Sequence, residues 1–163
     1  MMRRHLYTGL LVFVIALLAL ALAAPNFSGT WVRDKTQSDP MMGGRGGGQA
    51  MDMEVTLTIK QDGNNFEVAT QRGERNSEAK YTLDGKENKN STGRGETISK
   101  SRVEGDKLLI EGVRKMTRQS GETMEMKFSE EYSLSADGKV LTVKSTATTP
   151  QGERTSKQVY NKK

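Results

Sequence analysis

Cysteine is absent from all 163 residues, and the one histidine, His5, stands close to the start of the chain. Beyond position 24 there is therefore neither thiol nor imidazole. That excludes disulfides, thiol redox chemistry, zinc or haem on His or Cys, and nucleophiles of the Ser/His/Asp or Cys/His type. Apolar residues are scarce as well. Of the 55 hydrophobic residues, 19 lie within the first 24 positions, which leaves 36 among the other 139. Net charge is equally uninformative: the formal +5 includes Arg3 and Arg4, and the remainder carries 23 Lys/Arg against 20 Asp/Glu, too balanced to argue for nucleic acid or an acidic membrane surface.

What the first segment does contain is an address. Met1 to His5 is basic, Leu10 to Ala24 carries no polar group, and Ala21-Leu22-Ala23-Ala24 supplies small residues before Pro25. This is the pattern of a secretory signal peptide over residues 1–23, a helical leader cleaved near Ala23. A spanning helix needs about 20 apolar residues and a basic stop-transfer flank, neither of which is present. The processed chain is therefore expected to be exported, periplasmic or secreted, without a stable membrane anchor, as one domain over 24–163.

In that domain Leu, Ile, Val and Phe make up about 14% of residues, below the level at which composition alone supports a fold, so periodicity decides. Met124, Met126, Phe128, Glu130, Tyr132 and Leu134 alternate with polar residues, as do Val55, Leu57 and Ile59; both are the period-two signal of half-buried strands. Shorter runs lie at Phe66–Gln71, Ser77–Leu83, Thr97–Val103, Leu108–Met116, Val140–Ala147 and Thr155–Tyr160, separated by turn signals such as Asp62-Gly63, Asp84-Gly85 and Asp137-Gly138. The reading is all-β: an antiparallel up-and-down meander of about eight or nine strands.

Turn chemistry sets the register. A two-residue turn at Asp137-Gly138 pairs Leu134 with Leu141, Tyr132 with Val143 and Glu130 with Ser145. A three-residue loop at Gln119-Ser120-Gly121 pairs Leu108 with Tyr132, Ile110 with Glu130, Gly112 with Phe128 and Met116 with Met124. Pro150-Gln151-Gly152 treated likewise pairs Val143 with Val159. One face is then apolar, and closing the meander into a barrel buries it and removes the exposed edges. Apolar bulk at Trp31, Ile59 and Phe66 falls at one end of the early strands and that at Leu108, Leu134 and Leu141 at the other end of the late ones, so polarity does not locate the mouth.

The phrase Asn26-Phe27-Ser28-Gly29-Thr30-Trp31-Val32 resembles the Gly-x-Trp opening of the lipocalin and fatty-acid-binding barrels. With Leu83 to Glu87, Leu134 to Val143 and the ending Val159-Tyr160, the chain is similar over most of residues 26–160 to small exported bacterial proteins of lipocalin-like (calycin) type. The resemblance implies a lipocalin-like barrel whose closed end is plugged by Trp31, with Gly29 beside it as a structural residue, and whose interior holds a small ligand. The family's Thr-Asp-Tyr motif is missing, and the chain ends in Asn161-Lys162-Lys163 without the arginine that covers the tryptophan in the family.

On the inward face derived above, Arg114 and Glu130 are charged, and an unpaired buried charge needs a partner, water or a ligand. The register sets them two pair-steps apart, too far for direct contact along the hairpin, so each is expected to find another partner. In the ligand-binding reading Arg114 receives an anionic head group, Met116, Met124, Met126 and Phe128 wall an apolar body, and Glu130 and Tyr132 complete the pocket. In the plainer reading Arg114 reaches water and the methionines fill the core. The Gly/Met-rich stretch 41–51 reads as a flexible loop between the first two strands. Met41, Met42, Met51 and Met53 are soft ligands for Cu(I) or Ag(I), yet without Cys or His a loop is the favoured account and no metal is assigned.

No Gly-x-Ser-x-Gly, phosphate loop or dinucleotide fingerprint occurs, and Glu130 has no second inward carboxylate, so no catalytic residue and no cofactor is assigned. The sequence points to a non-enzymatic exported barrel that binds a small apolar or amphiphilic molecule. The alternative is a non-catalytic interaction or envelope structural module with a filled interior. The ligand's identity and the oligomeric state are not read from it.

Overall fold

The computed structural model describes residues 24–41, 53–92, 95–117, 121–149 and 152–163. The expected signal peptide and all of the Gly/Met stretch except Met41 lie outside these residues. Ten strands follow one another: β1 (Gly29–Arg33), β2 (Val55–Asp62), β3 (Asn65–Arg72), β4 (Arg75–Thr82), β5 (Asp84–Thr92), β6 (Gly95–Glu104), β7 (Lys107–Thr117), β8 (Thr123–Leu134), β9 (Val140–Thr149) and β10 (Gly152–Lys162). All neighbours are antiparallel, in the order β4-β3-β2-β1-β10-β9-β8-β7-β6-β5. The meander thus curls into a nearly closed barrel in which β1 meets β10, Trp31 lying opposite Lys162.

The extra strand is β5. Asp84-Gly85-Lys86-Glu87-Asn88-Lys89-Asn90-Ser91-Thr92 has no apolar residue, so it gives no periodic signal. It pairs with β6 nonetheless, Asn88 opposite Ser99 and Asn90 opposite Thr97. Its other edge faces β4 without a backbone ladder. Side-chain amides span the seam instead. Asn90 accepts from Lys80 N (2.8 Å) through Oδ1 and donates to Lys80 O (2.9 Å) through Nδ2, and Asn88 Oδ1 accepts from Thr82 N at 2.7 Å. Two asparagines stand in for peptide groups of a missing strand pairing, which satisfies donors that a sheet edge would otherwise present.

Two of the three expected registers hold pair by pair, on β7–β8 and on β8–β9. The third slips by one residue. Thr149 pairs with Gly152, so Val143 lies opposite Gln158 and Leu141 opposite Tyr160. Gly152 is not a loop residue but the first residue of β10, where it keeps a positive φ of 116°. Tyr160, not Val159, therefore faces the interior. Val159 is still buried, and its N–H donates to Ser38 Oγ while its C=O accepts from Asp34 N, in the segment that continues from β1.

Most of the apolar bulk gathers at one end of the barrel, contrary to the expectation that it divides between two. Successive strands run in opposite directions, so the end of β2, the start of β3, the start of β7, the end of β8 and the start of β9 coincide in space. Residues 25–28 cross this end. Phe27 N donates to Gln61 Oε1 (2.9 Å) and Gln61 Nε2 to Pro25 O (3.0 Å), which hold the crossing. The Phe27 ring meets Phe66 edge-on at 6.1 Å and Tyr132 at 6.3 Å. Trp31 is 0% exposed and donates Nε1–H to Phe27 O at 2.9 Å. Lys162 Nζ stands 5.1 Å from the Trp31 ring centroid, in the place where the resemblance implies an arginine. Gly29 has φ +146°, a backbone conformation that favours glycine, and a Cβ there would come within 2.9 Å of Cε at the flexible end of Lys162. The opposite end is the mouth.

Candidate functional site

Above the aromatic plug the barrel keeps a cavity of about 700 Å³. Its lower wall is apolar and aromatic, from Leu57, Val68, Tyr81, Tyr132, Val143 and Tyr160. Towards the mouth the lining turns polar, with Arg72 and Glu78 from β3 and β4, Arg154 from β10, and Asp39 and Met41 from the segment after β1. An apolar floor with a few placed polar groups is how small-molecule sites are built.

One charged pair sits in the wall. Arg114 Nη2 donates to Glu130 Oε1 at 2.5 Å, and Tyr132 Oη donates to Glu130 Oε2 at 3.2 Å. The expectation that the two charges are too far apart to meet is therefore corrected. The register was right, with Arg114 opposite Met126 and Glu130 opposite Ile110. What it omitted is the reach of an arginine, whose long stem lies along the strand towards the closed end. Its guanidinium also stacks over the Phe128 ring, 4.0 Å from the centroid. The glutamate side chain is 14% exposed and the arginine's 37%, so the pair is half-shielded.

Of the residues singled out from sequence, Arg114, Glu130 and Tyr132 line this cavity. Phe128 is buried beneath Arg114. Met116, Met124 and Met126 lie further towards the mouth and are not among the lining residues; Met116 is 40% exposed. An apolar wall does exist, but Leu57, Val68, Val143 and tyrosines make it. Tyr81 and Tyr160 escaped the sequence reading, Tyr160 through the register slip. Tyr81 was accessible to it, since Phe66 opens the next strand and Tyr81 pairs opposite Phe66.

The three tyrosines are chemically distinct. Tyr132 is satisfied by Glu130, whereas the hydroxyls of Tyr81 and Tyr160 make no hydrogen bond to any described residue. Burial pushes the Tyr81 phenol up to about 12, with the Glu130 carboxylate adding to the shift and Arg114 opposing it. Burial raises Tyr132 well above its ordinary range, again with Glu130 adding. Tyr160 is also raised by burial, against the opposing charges of Arg72 and Arg33.

By sequence the chain matches no protein-family model and no curated protein. By structure it is similar to the zebrafish ileal bile acid-binding protein complexed with cholic acid, at 20% identity and a TM-score of 0.63 over 84% of this chain and 98% of that one. A secretory abundant heat-soluble protein of Ramazzottius varieornatus superposes at 14% identity and a TM-score of 0.62, over 86% and 97%. The REP1-NXSQ fatty acid transporter does so at 15% and 0.60, over 84% and 96%. This is a lipocalin-like barrel. The bacterial part of the resemblance gains no support from these structures. Within the lipocalin-like barrel, the plug of Trp31 and Phe27 and the cover from Lys162 define the closed end, and the Arg114–Glu130 pair marks the middle of the cavity wall.

Proposed function

We propose that this lipocalin-like barrel is an exported, non-catalytic binding module that carries a small apolar or amphiphilic molecule in its interior. The observation that carries the reading is the cavity of about 700 Å³, floored by aromatic and aliphatic side chains and rimmed by charge. A barrel that served only as an interaction or structural module would have no need to leave that space open. The neighbours support the reading at the level of ligand class, since their names record fatty acid transport and bile acid binding. Export rests on the leader at residues 1–23, and absence of catalysis on a cavity wall in which Glu130 is engaged by an arginine and a tyrosine.

Native mass spectrometry of protein purified from its own compartment tests this directly. The expected result is a mass excess that extracts into organic solvent as a small amphiphile. A protein that stays at its bare mass, and that takes up no fluorescent apolar probe on titration, sinks the binding role in favour of the structural one.

A further inference from the structure

We infer that the ligand group held deepest in the cavity is an uncharged hydroxyl, that Tyr81 binds it, and that the carboxylate of Glu130 turns away an anionic head group. The inference deepens the binding role proposed above and rests on it. Its starting point is that the one cation among the described residues of the inner wall is already used. Arg114 is held by Glu130 and stacked on Phe128, and the second oxygen of Glu130 is capped by Tyr132, so the cluster is neutral as a whole. A carboxylate brought to Arg114 would have to lie beside that fixed carboxylate in a half-shielded site, where like charges are poorly screened. Among the described residues that line the mouth, Arg72 and Arg154 stand against Asp39 and Glu78, so these four charges balance.

Below the charged rim, the hydrogen-bonding capacity beside the cluster is neutral. Tyr81 is half-buried, lines the cavity and leaves its hydroxyl without a described partner, able both to donate and to accept. Its ring packs against Phe66 at 6.2 Å, which holds it from the apolar side. Burial and the neighbouring Glu130 carboxylate both disfavour negative charge at this hydroxyl, with Arg114 opposing, whereas an alcohol brings no charge. Tyr160 also has a free hydroxyl, but Arg72 and Arg33 counter its burial, so Tyr81 is the discriminating position.

The test uses a long-chain fatty alcohol and the fatty acid of equal chain length, each displacing a bound fluorescent probe from the purified protein at about pH 8, where the acid is ionised. The alcohol is expected to bind about tenfold more tightly than the acid, the scale of one partly screened like-charge contact in a half-shielded site. Tyr81→Phe should weaken the alcohol severalfold and leave the acid unchanged. Glu130→Gln should narrow or reverse the preference. Equal or tighter binding of the acid by the unaltered protein overturns the inference while leaving the carrier role standing, and so does a preference untouched by both substitutions. Binding of neither compound, with no uptake of the probe, removes both. Tyr81→Phe deletes only a hydroxyl that faces the cavity, so it keeps the test decisive if Glu130→Gln fails to fold.

Discussion

Arg114 and Glu130 meet at 2.5 Å although the β7–β8 register places them two pair-steps apart, and the contact turns two interior charges into one neutral unit. Removing one partner strands the other. Arg114→Met is expected to destabilise the barrel by about 1–3 kcal/mol, less than for a fully buried pair because the arginine is partly exposed. The double variant Arg114→Met with Glu130→Met should recover most of that loss. Urea denaturation of the four proteins in the cycle checks it. Additive single losses would show that the pair is not coupled.

Trp31→Ala should cost about 3–5 kcal/mol, the range for emptying a large aromatic site in a core. The ring is fully buried, and its Nε1–H fastens the segment that closes the barrel end. Chemical denaturation measures the change. A loss below about 1 kcal/mol would contradict the plug role.

The seam between β4 and β5 can be read one residue at a time. Asn88 is 8% exposed and serves Thr82 and Ser101, whereas Asn90 is more open and serves Lys80. Asn88→Ala should therefore cost about 1–3 kcal/mol, because it leaves buried groups unpaired, and Asn90→Ala less than about 1 kcal/mol, because water replaces it. Hydrogen exchange gives the local signature. The Thr82 amide should lose protection in the first variant and the Lys80 amide in the second, with β2 unchanged in both.

Alkaline stability follows from the tyrosines. Tyr81, Tyr132 and Tyr160 all have phenols raised by burial, so the folded state holds protons that the unfolded chain releases from about pH 10. Their contribution is complete below pH about 10 and is lost as pH rises towards about 12, the value to which Tyr81 is pushed. Spectrophotometric titration of the processed chain should show no phenolate until well past pH 10, then a steep rise coincident with loss of β-sheet signal. Phenolate appearing in the ordinary range with the fold intact would place the rings in water.

Much of the fold was legible because strands and turns are local. Period-two alternation and turn signals marked eight of the ten strands, the Gly-x-Trp phrase marked β1, and the turns at Gly121 and Gly138 set two registers that the structure reproduces pair by pair. Strand β5 escaped because its inward positions are asparagines, whose partners lie across a seam that no local pattern announces. The β9–β10 register slipped because a glycine in a hairpin reads alike as loop or strand, and the choice inverted the roles of Val159 and Tyr160.

The sequence by itself determined an all-β chain with one apolar face, a leader-like first segment, and chemistry confined to carboxylates, hydroxyls, amides and cations. The tertiary structure alone decided where that face gathers and what meets across it. Antiparallel strands bring distant apolar residues to a single end, and curling the sheet brings Lys162 over Trp31 and Glu130 within reach of Arg114. Those encounters depend on side-chain reach and barrel closure, which operate between strands and through space and leave no trace in the spacing of residues along the chain.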